Sequence, residues 1–491
     1  MLPLLIIIAY FSLLLFVSRR SGGGASNDAF FRAGRKAPWP MVAFGMIGAS
    51  ISGVSLISVP GWVASTGMSY LQMCAGFFVG YLVVAFVLLP VYYKLRLTSI
   101  YGYLAERFGP RTHKTGASFF ILSKLTGAAA RLYLACIVLD AFLGHTAWSF
   151  PVLVVAVLVM IWLYTRRSGI GAIVRTDALQ TACMLIAAAG ICWAACSQLN
   201  FSIADAWRTI VHSPANENGF SMSTVFVWDA ASKQYFWRQF LSGMFITIVM
   251  TGLDQDMMQK NLTCSTLRDA QKDMCSYGIA FLPVNALFLG LGVLLYHYCA
   301  VSGLAAPERG DDLLPMLVSG GYLGVWVVVP FIIGIASAAF SSADSAITSL
   351  TTSVCVDLLG MEDSKNSSLF PPTSSLNGEA LRRRVHIIVV VAFFACIMAF
   401  RAINSSNAID AIYTMAGYTY GPLLGLFCFG IYTHKKIHDR WVPAVAIAAP
   451  VVCALLDYAA PRLWDYHFGY ELLMLNGALT AAGLWLLRRA D

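Results

Sequence analysis

The sequence predicts an all-α polytopic membrane protein with about thirteen transmembrane helices. Three observations carry that prediction. Only 12% of the 491 residues are charged and 58% are hydrophobic, with a mean hydropathy of +0.70; a soluble chain would carry about twice that charged fraction. Apolar stretches of roughly the twenty residues a bilayer crossing needs recur along the whole chain. The Lys and Arg residues gather on alternate sides of those stretches.

The first stretch, near 2–17, has no basic residue before it and Arg19 and Arg20 directly after it. A secretory signal carries its positive charges first and a small-residue cleavage site after. The reversed order reads as a retained helix with its N-terminus outside. Further spans fall near 39–66, 70–93, 116–143, 147–165, 172–197, 236–257, 274–300, 321–357, 385–403, 407–432, 441–459 and 467–487. With alternating ends, the inner segments hold most of the 33 Lys and Arg residues, among them Arg35, Lys36, Arg107, Arg166, Lys260, Arg382 and Lys435. That positive-inside bias supports thirteen crossings and a cytoplasmic C-terminus in a cell membrane, inner or plasma. The net charge of +8 therefore follows from topology and gives no reason to expect a nucleic-acid partner; membrane lipid is the expected surrounding.

The twelve cysteines form no CxxC pair, so neither a disulfide framework nor a zinc site is suggested. No GxxxxGK[ST] run and no HExxH cluster occurs, which argues against ATP-driven transport and against a membrane enzyme. The longest polar stretches lie at 198–235 and 359–384; the second, over Glu362 to Glu379, is rich in Ser, Asn and Pro and reads as mobile.

Two spans carry unusual chemistry. The second contains Gly45, Gly48, Ser50, Ser52, Gly53, Ser55, Ser58, Pro60 and Gly61. Small residues there fit either tight helix packing or a discontinuous helix whose freed carbonyls face a cavity at mid-membrane. The ninth reads Ala338-Ala-Phe-Ser341-Ser342-Ala-Asp344-Ser345. Ala338, Ser341, Ser342 and Ser345 share one helical face. Hydroxyls and a carboxylate inside a membrane helix are costly without a function, and hard oxygens suit an alkali cation. Together the two spans point to an ion-coupled transporter.

Five segments in order then resemble the sodium:solute symporter family: Gly48-Ala-Ser-Ile-Ser-Gly53 with Val59-Pro-Gly61, Thr98-Ser-Ile-Tyr-Gly-Tyr-Leu-Ala-Glu-Arg-Phe-Gly109, Arg175-Thr-Asp-Ala-Leu-Gln180, Asp254-Gln-Asp-Met-Met-Gln-Lys-Asn261, and Ser341 to Asp357. The resemblance implies the inverted-repeat fold of the bacterial leucine transporter. An extra N-terminal helix (1–20) would precede two five-helix halves (39–197 and 236–432), with two C-terminal helices (441–487) after them. It implies a sodium site from the carbonyls of Gly48, Ile51 and Ala338 and the hydroxyls of Ser341 and Ser342, with Na+ as the coupling ion. It also implies a possible second cation site from Asp177, Ser341, Asp344 and Ser345. Asp344 departs from the serine often found there. A structural reading of Asp177 pairs it with Arg175 instead.

By the same resemblance a small-molecule substrate would lie near Ser52, Ser55, Gln72, Arg131, Asp254, Tyr413 and Thr414. Arg131 reads either as a fork for a substrate carboxylate or as a structural partner of Asp140 or Asp254. Lys124 reads as snorkelling to the inner surface. The expected activity is sodium-coupled import of a small polar solute, a carboxylate such as a sialic acid, or a sugar or amino acid. Proton coupling through Asp177 or Asp344 and a non-transporting sensor are the alternatives.

Overall fold

A computed structural model describes residues 2–20, 27–51, 53–143, 148–215, 219, 221–361, 375–403, 408–464 and 466–489. The principal helices are α1 (Leu2–Arg20), α2 (Trp39–Ser50), α3 (Gly53–Gly61), α4 (Tyr70–Val83), α5 (Pro110–Leu143), α6 (Ser149–Ser168), α7 (Ile170–Gln198), α8 (Phe236–Thr247), α9 (Gln255–Asn261), α10 (Leu267–Val301), α11 (Val328–Ser353), α12 (Ser375–Ile403), α13 (Ala408–Tyr432), α14 (Val442–Trp464) and α15 (Leu472–Leu486). No strand occurs among the described residues. Eight helices there are long and apolar enough to cross a membrane, or nine if one bent pair, Trp39–Ser50 with Ser55–Thr66, is a single broken span. The other expected spans coincide with α1, α8, α13 and α15, which fall outside that set.

The bent pair turns through 59°. The break sits at Ile51, whose φ of −83° and ψ of 87° leave the helical region. Helix α2 stops at Ser50, so its last-turn carbonyls lose their next-turn donors. A second interruption separates α8 from α9: a π turn at Ile248–Gly252 precedes Asp254, which is extended at φ −103° and ψ 118°. Here the freed backbone is visibly satisfied. The Tyr92 hydroxyl donates to the Gly252 carbonyl and the Tyr101 hydroxyl to the Leu253 carbonyl, both at 2.8 Å. Such partners are what a membrane interior requires of irregular backbone.

Gln255 and Gln259 explain much of the Asp254–Asn261 motif. The Gln255 amide donates to the Thr98 carbonyl (3.1 Å) and accepts from the Ile100 amide (2.9 Å), clamping the start of the Thr98–Gly109 segment to α9. Gln259 donates to the Phe31 carbonyl and the Thr352 hydroxyl. Asn261 donates to Asp273 on α10. In the 198–235 segment Ser202 caps a short helix, and its hydroxyl and amide hold the exposed Asp205 carboxyl below the usual range. The stretch expected to be mobile, Glu362–Glu379, lies outside the described residues over 362–374, and α12 has begun by Ser375.

Glycines let the helices close on one another. A Cβ at Gly48 would stand 2.1 Å from the Thr181 hydroxyl, and one at Gly45 3.0 Å from the Asp177 Cβ, so α2 lies directly against α7. Helices α4 and α8 interlock in the same way. A Cβ at Gly76 would meet the Phe240 carbonyl oxygen at 2.0 Å, and one at Gly243 the Met73 carbonyl oxygen at 2.3 Å. Backbone cannot swing aside as a side chain can. Gly76→Ala is therefore expected to destabilise by about 1–3 kcal/mol through overpacking, lowering the melting temperature of the detergent-solubilised protein. Gly127→Ala, with nothing within 4 Å of the added methyl, should melt like the parent.

Candidate functional site

The hydroxyl face of α11 meets α7 at Asp177. Ser341 donates to Asp177 Oδ1 at 2.8 Å, and Ser345 reaches Oδ2 at 3.5 Å. The Gln180 amide, oriented to satisfy both its ends, also donates to Oδ1 (3.1 Å). All four residues are buried. Ser342 is buried too, and its hydroxyl has no hydrogen-bond partner among the described residues. Ala338 and Ile51 are fully covered, and Gly48 lies against Thr181 one turn beyond Asp177 on α7. Gly48 of α2 and Ser341 of α11 thus both lie against α7, at Thr181 and Asp177, and an unpartnered hydroxyl at the neighbouring Ser342 is chemistry a cation would satisfy.

The second cation set does not assemble as expected. Asp344 makes no hydrogen bond to Asp177 among the described residues and accepts from the Tyr164 hydroxyl at 2.6 Å through Oδ2. Its Oδ1 is buried and has no partner among the described residues. Asp177 is paired, though not with Arg175, whose guanidinium donates to the Arg20 carbonyl at 3.5 Å. Its partner is Lys260 of α9, with Nζ 2.8 Å from Oδ2 and a side chain 2% exposed. The sequence reading counts Lys260 among the inner-side charges; the structure buries it.

From Lys260 a line of alternating charges runs toward a cavity. Lys260 stands 4.0 Å from Asp256, and Asp256 is 2.7 Å from Lys124. Lys124 is also 3.2 Å from Asp254. Asp254 caps α9, accepting from the Asp256 amide at 2.8 Å, and takes the Tyr420 hydroxyl at 2.5 Å. A carboxylate at a helix N-terminus gains from the helix dipole. Lys124 does not snorkel: it is buried and committed to two carboxylates. The spacing of Asp256 and Lys260, four apart on one helix, is the sequence signal that could have linked them.

The cavity measures about 90 Å³ and is bordered by Ser50, Tyr81, Lys124, Arg131, Asp254, Tyr277 and Tyr420, among others. At the break in α2, Ser50 bonds to the Tyr277 hydroxyl, which also accepts from Tyr81 at 2.8 Å. Arg131 borders the cavity and, among the described residues, forms no ion pair with Asp140 or Asp254, so the structural partnership expected for it is not formed. Gln72 is spent elsewhere. Its amide donates to the Ser69 and Gln234 carbonyls and accepts from the Val227 amide, so it pins the loop before α8 rather than facing the cavity. Ser55 does not border the cavity either. Ser52 and the side chains of Tyr413 and Thr414 lie outside the described residues. A wider recess of about 400 Å³, bordered by Trp62, Tyr70, Arg238, Gly417 and Glu471, lies next along α4 and α13 toward the expected outer side.

A model of the sodium:solute symporter family matches residues 30–439. The human sodium/iodide cotransporter is 23% identical over 423 residues, covering 85% of this chain and 63% of that protein, so the chain spans less than two thirds of that relative. The sodium/sialic acid symporter NanT of Aliivibrio fischeri is 24% identical over 480 residues, covering 93% of this chain and 88% of that protein. A solved structure of a Na+-coupled sialic acid symporter, substrate-bound and outward-open, superposes with a TM-score of 0.80 at 19% identity, covering 99% of this chain and 97% of that one.

Removing one member of the charge line should strand another. Lys124→Met leaves Asp254 without its cation and Asp256 with only the more distant Lys260 at 4.0 Å, and breaking such a buried pair typically costs about 3–5 kcal/mol. Folded, monodisperse protein should fall sharply on size-exclusion chromatography. Lys124→Met with Asp256→Asn should recover a good part of it; failure to recover would mean that Asp256 is not the carboxylate that depends on Lys124.

Proposed function

We propose, for a chain that belongs to the sodium:solute symporter family, sodium-coupled import of a small organic anion by alternating access. Sodium sits at the Gly48, Ile51, Ala338, Ser341 and Ser342 oxygens, and the substrate in the cavity beside Arg131. The halves at 39–197 and 236–432 serve as the inverted repeats. Their first helices are the two interrupted ones, which supports that division.

The observation that carries the sodium site is the buried, unpartnered Ser342 hydroxyl beside the Ser341–Asp177 contact. Neutral oxygens bind an alkali ion weakly enough for release in every cycle. Ser342→Ala and Ser341→Ala should each raise the sodium concentration for half-maximal uptake without loss of folded protein. Unchanged sodium dependence in both variants would remove this site from the mechanism.

Arg131 carries the substrate class. It is a guanidinium on the wall of a cavity whose other cation, Lys124, is already committed. The cavity also presents the Ser50, Tyr277 and Tyr420 hydroxyls beside Arg131, a wall suited to the carboxylate and polar groups of a small organic anion. Arg131→Lys keeps the charge but not the bidentate fork. It should weaken substrate affinity by on the order of ten- to a hundredfold, the loss of one charge-assisted hydrogen bond, while sodium binding holds. An uncharged substrate would end this reading.

A second reading is favoured by Asp344 alone. A buried carboxylate with Tyr164 on Oδ2 and no hydrogen-bond partner for Oδ1 among the described residues is a natural seat for a proton or a cation. A proton on Asp344 would make transport proton-linked. Asp344→Asn should then abolish uptake driven by an imposed pH gradient, and leave sodium-driven uptake intact if sodium is the coupling ion.

A further inference from the structure

We propose that the Lys260 ammonium is a built-in cation that occupies the second cation position at Asp177, so that each cycle carries one sodium ion rather than two. The inference rests on the symport reading above and adds the number of ions it uses.

The geometry supports it at each contact. Both oxygens of Asp177 are engaged: Oδ1 by Ser341 and Gln180, Oδ2 by Lys260 at 2.8 Å and by Ser345 at 3.5 Å. A sodium ion binding to Asp177 would have to displace Nζ or share one carboxylate with it. Sharing sets two like charges side by side in a medium that screens them poorly. Displacement has nowhere to send the lysine, because its side chain is sealed and α9 is clamped by Gln255, Gln259 and Asn261. Asp256, 4.0 Å from the ammonium, is itself held by Lys124. The other carboxylate of the set, Asp344, accepts from Tyr164 through Oδ2 and lies within electrostatic reach of both Asp177 and Lys260, so the lysine charge serves it as well.

The tethered charge also has a consequence for coupling. A mobile ion leaves its site and must be rebound, whereas Lys260 keeps α9 docked on α7 in a position that needs no ion. The contact between α9 and α7 then forms without a bound ion, and the single sodium acts on α2 and α11.

Sodium-to-substrate stoichiometry in proteoliposomes, read as the substrate gradient that balances an imposed sodium gradient, tests the proposal in the intact protein. The wild type should give a ratio and a Hill coefficient for sodium close to one. Lys260→Gln bares Asp177, so sodium should become its counter-ion. The purified variant should melt lower than wild type in potassium and regain most of the difference in sodium, with a steeper sodium dependence than the wild type shows. If Lys260→Gln unfolds in potassium, rescue by sodium is the same outcome. Asp177→Asn with Lys260→Gln removes both charges and should lose the extra sodium response. Two sodium ions per substrate in the wild type would overturn the proposal. So would a Lys260→Gln variant that responds to sodium no more than wild type does. A wild type whose uptake ignores sodium altogether would instead overturn the symport reading itself.

Discussion

The ion pair between Asp177 and Lys260 joins α7 to α9 inside the membrane, and much of the surrounding architecture follows from the need to keep it paired. A charge in that interior is tolerated only with its counter-charge in contact. Lys260 reaches Asp177 because α9 is a separate short helix, and α9 is separate because the chain breaks at Ile248–Asp254. The break in turn demands donors for its freed carbonyls, which Tyr92 and Tyr101 provide from the preceding half of the sequence. Close approach of α2 to the same point demands glycine at 45 and 48. One electrostatic requirement thus fixes helix breaks, tyrosine placement and small-residue positions together.

That arrangement links the two regions to which the proposed function assigns sodium and substrate. The line from Asp177 through Lys260, Asp256 and Lys124 to Asp254 runs from the hydroxyl face of α11 to the cavity bordered by Arg131 and Tyr420. Its members sit on α5, α7 and α9, so movement of any one of these helices alters the partners of the others. On the proposed function, coupling between ion and substrate needs two arrangements of such a network with different ion affinity, and the contacts described here would be one of them.

The sequence announced the elements whose signal is local. Glycine, serine and proline crowded into one span foretold the break at Ile51, and the spacing of Ala338, Ser341, Ser342 and Ser345 foretold a polar face. The ordered segments from Gly48 to Asp357 foretold the family. What the sequence could not announce was pairing across long separations. Nothing local distinguishes a snorkelling lysine from one held by carboxylates 130 residues on, as Lys124 is by Asp254, or says that Asp177 pairs with Lys260 and not with neighbouring Arg175. Gln72 misled for a related reason: a glutamine on an apolar helix looks like a substrate ligand until the loop it pins is folded against it.

The central claim is that an inward sodium gradient drives solute accumulation through this protein. The most direct measurement is uptake of small radiolabelled carboxylates into proteoliposomes at clamped membrane potential, with either a sodium or a pH gradient imposed. Accumulation above the external concentration with sodium, and only equilibration with the pH gradient, is the predicted result. Accumulation driven equally well by the pH gradient in the complete absence of sodium would contradict it.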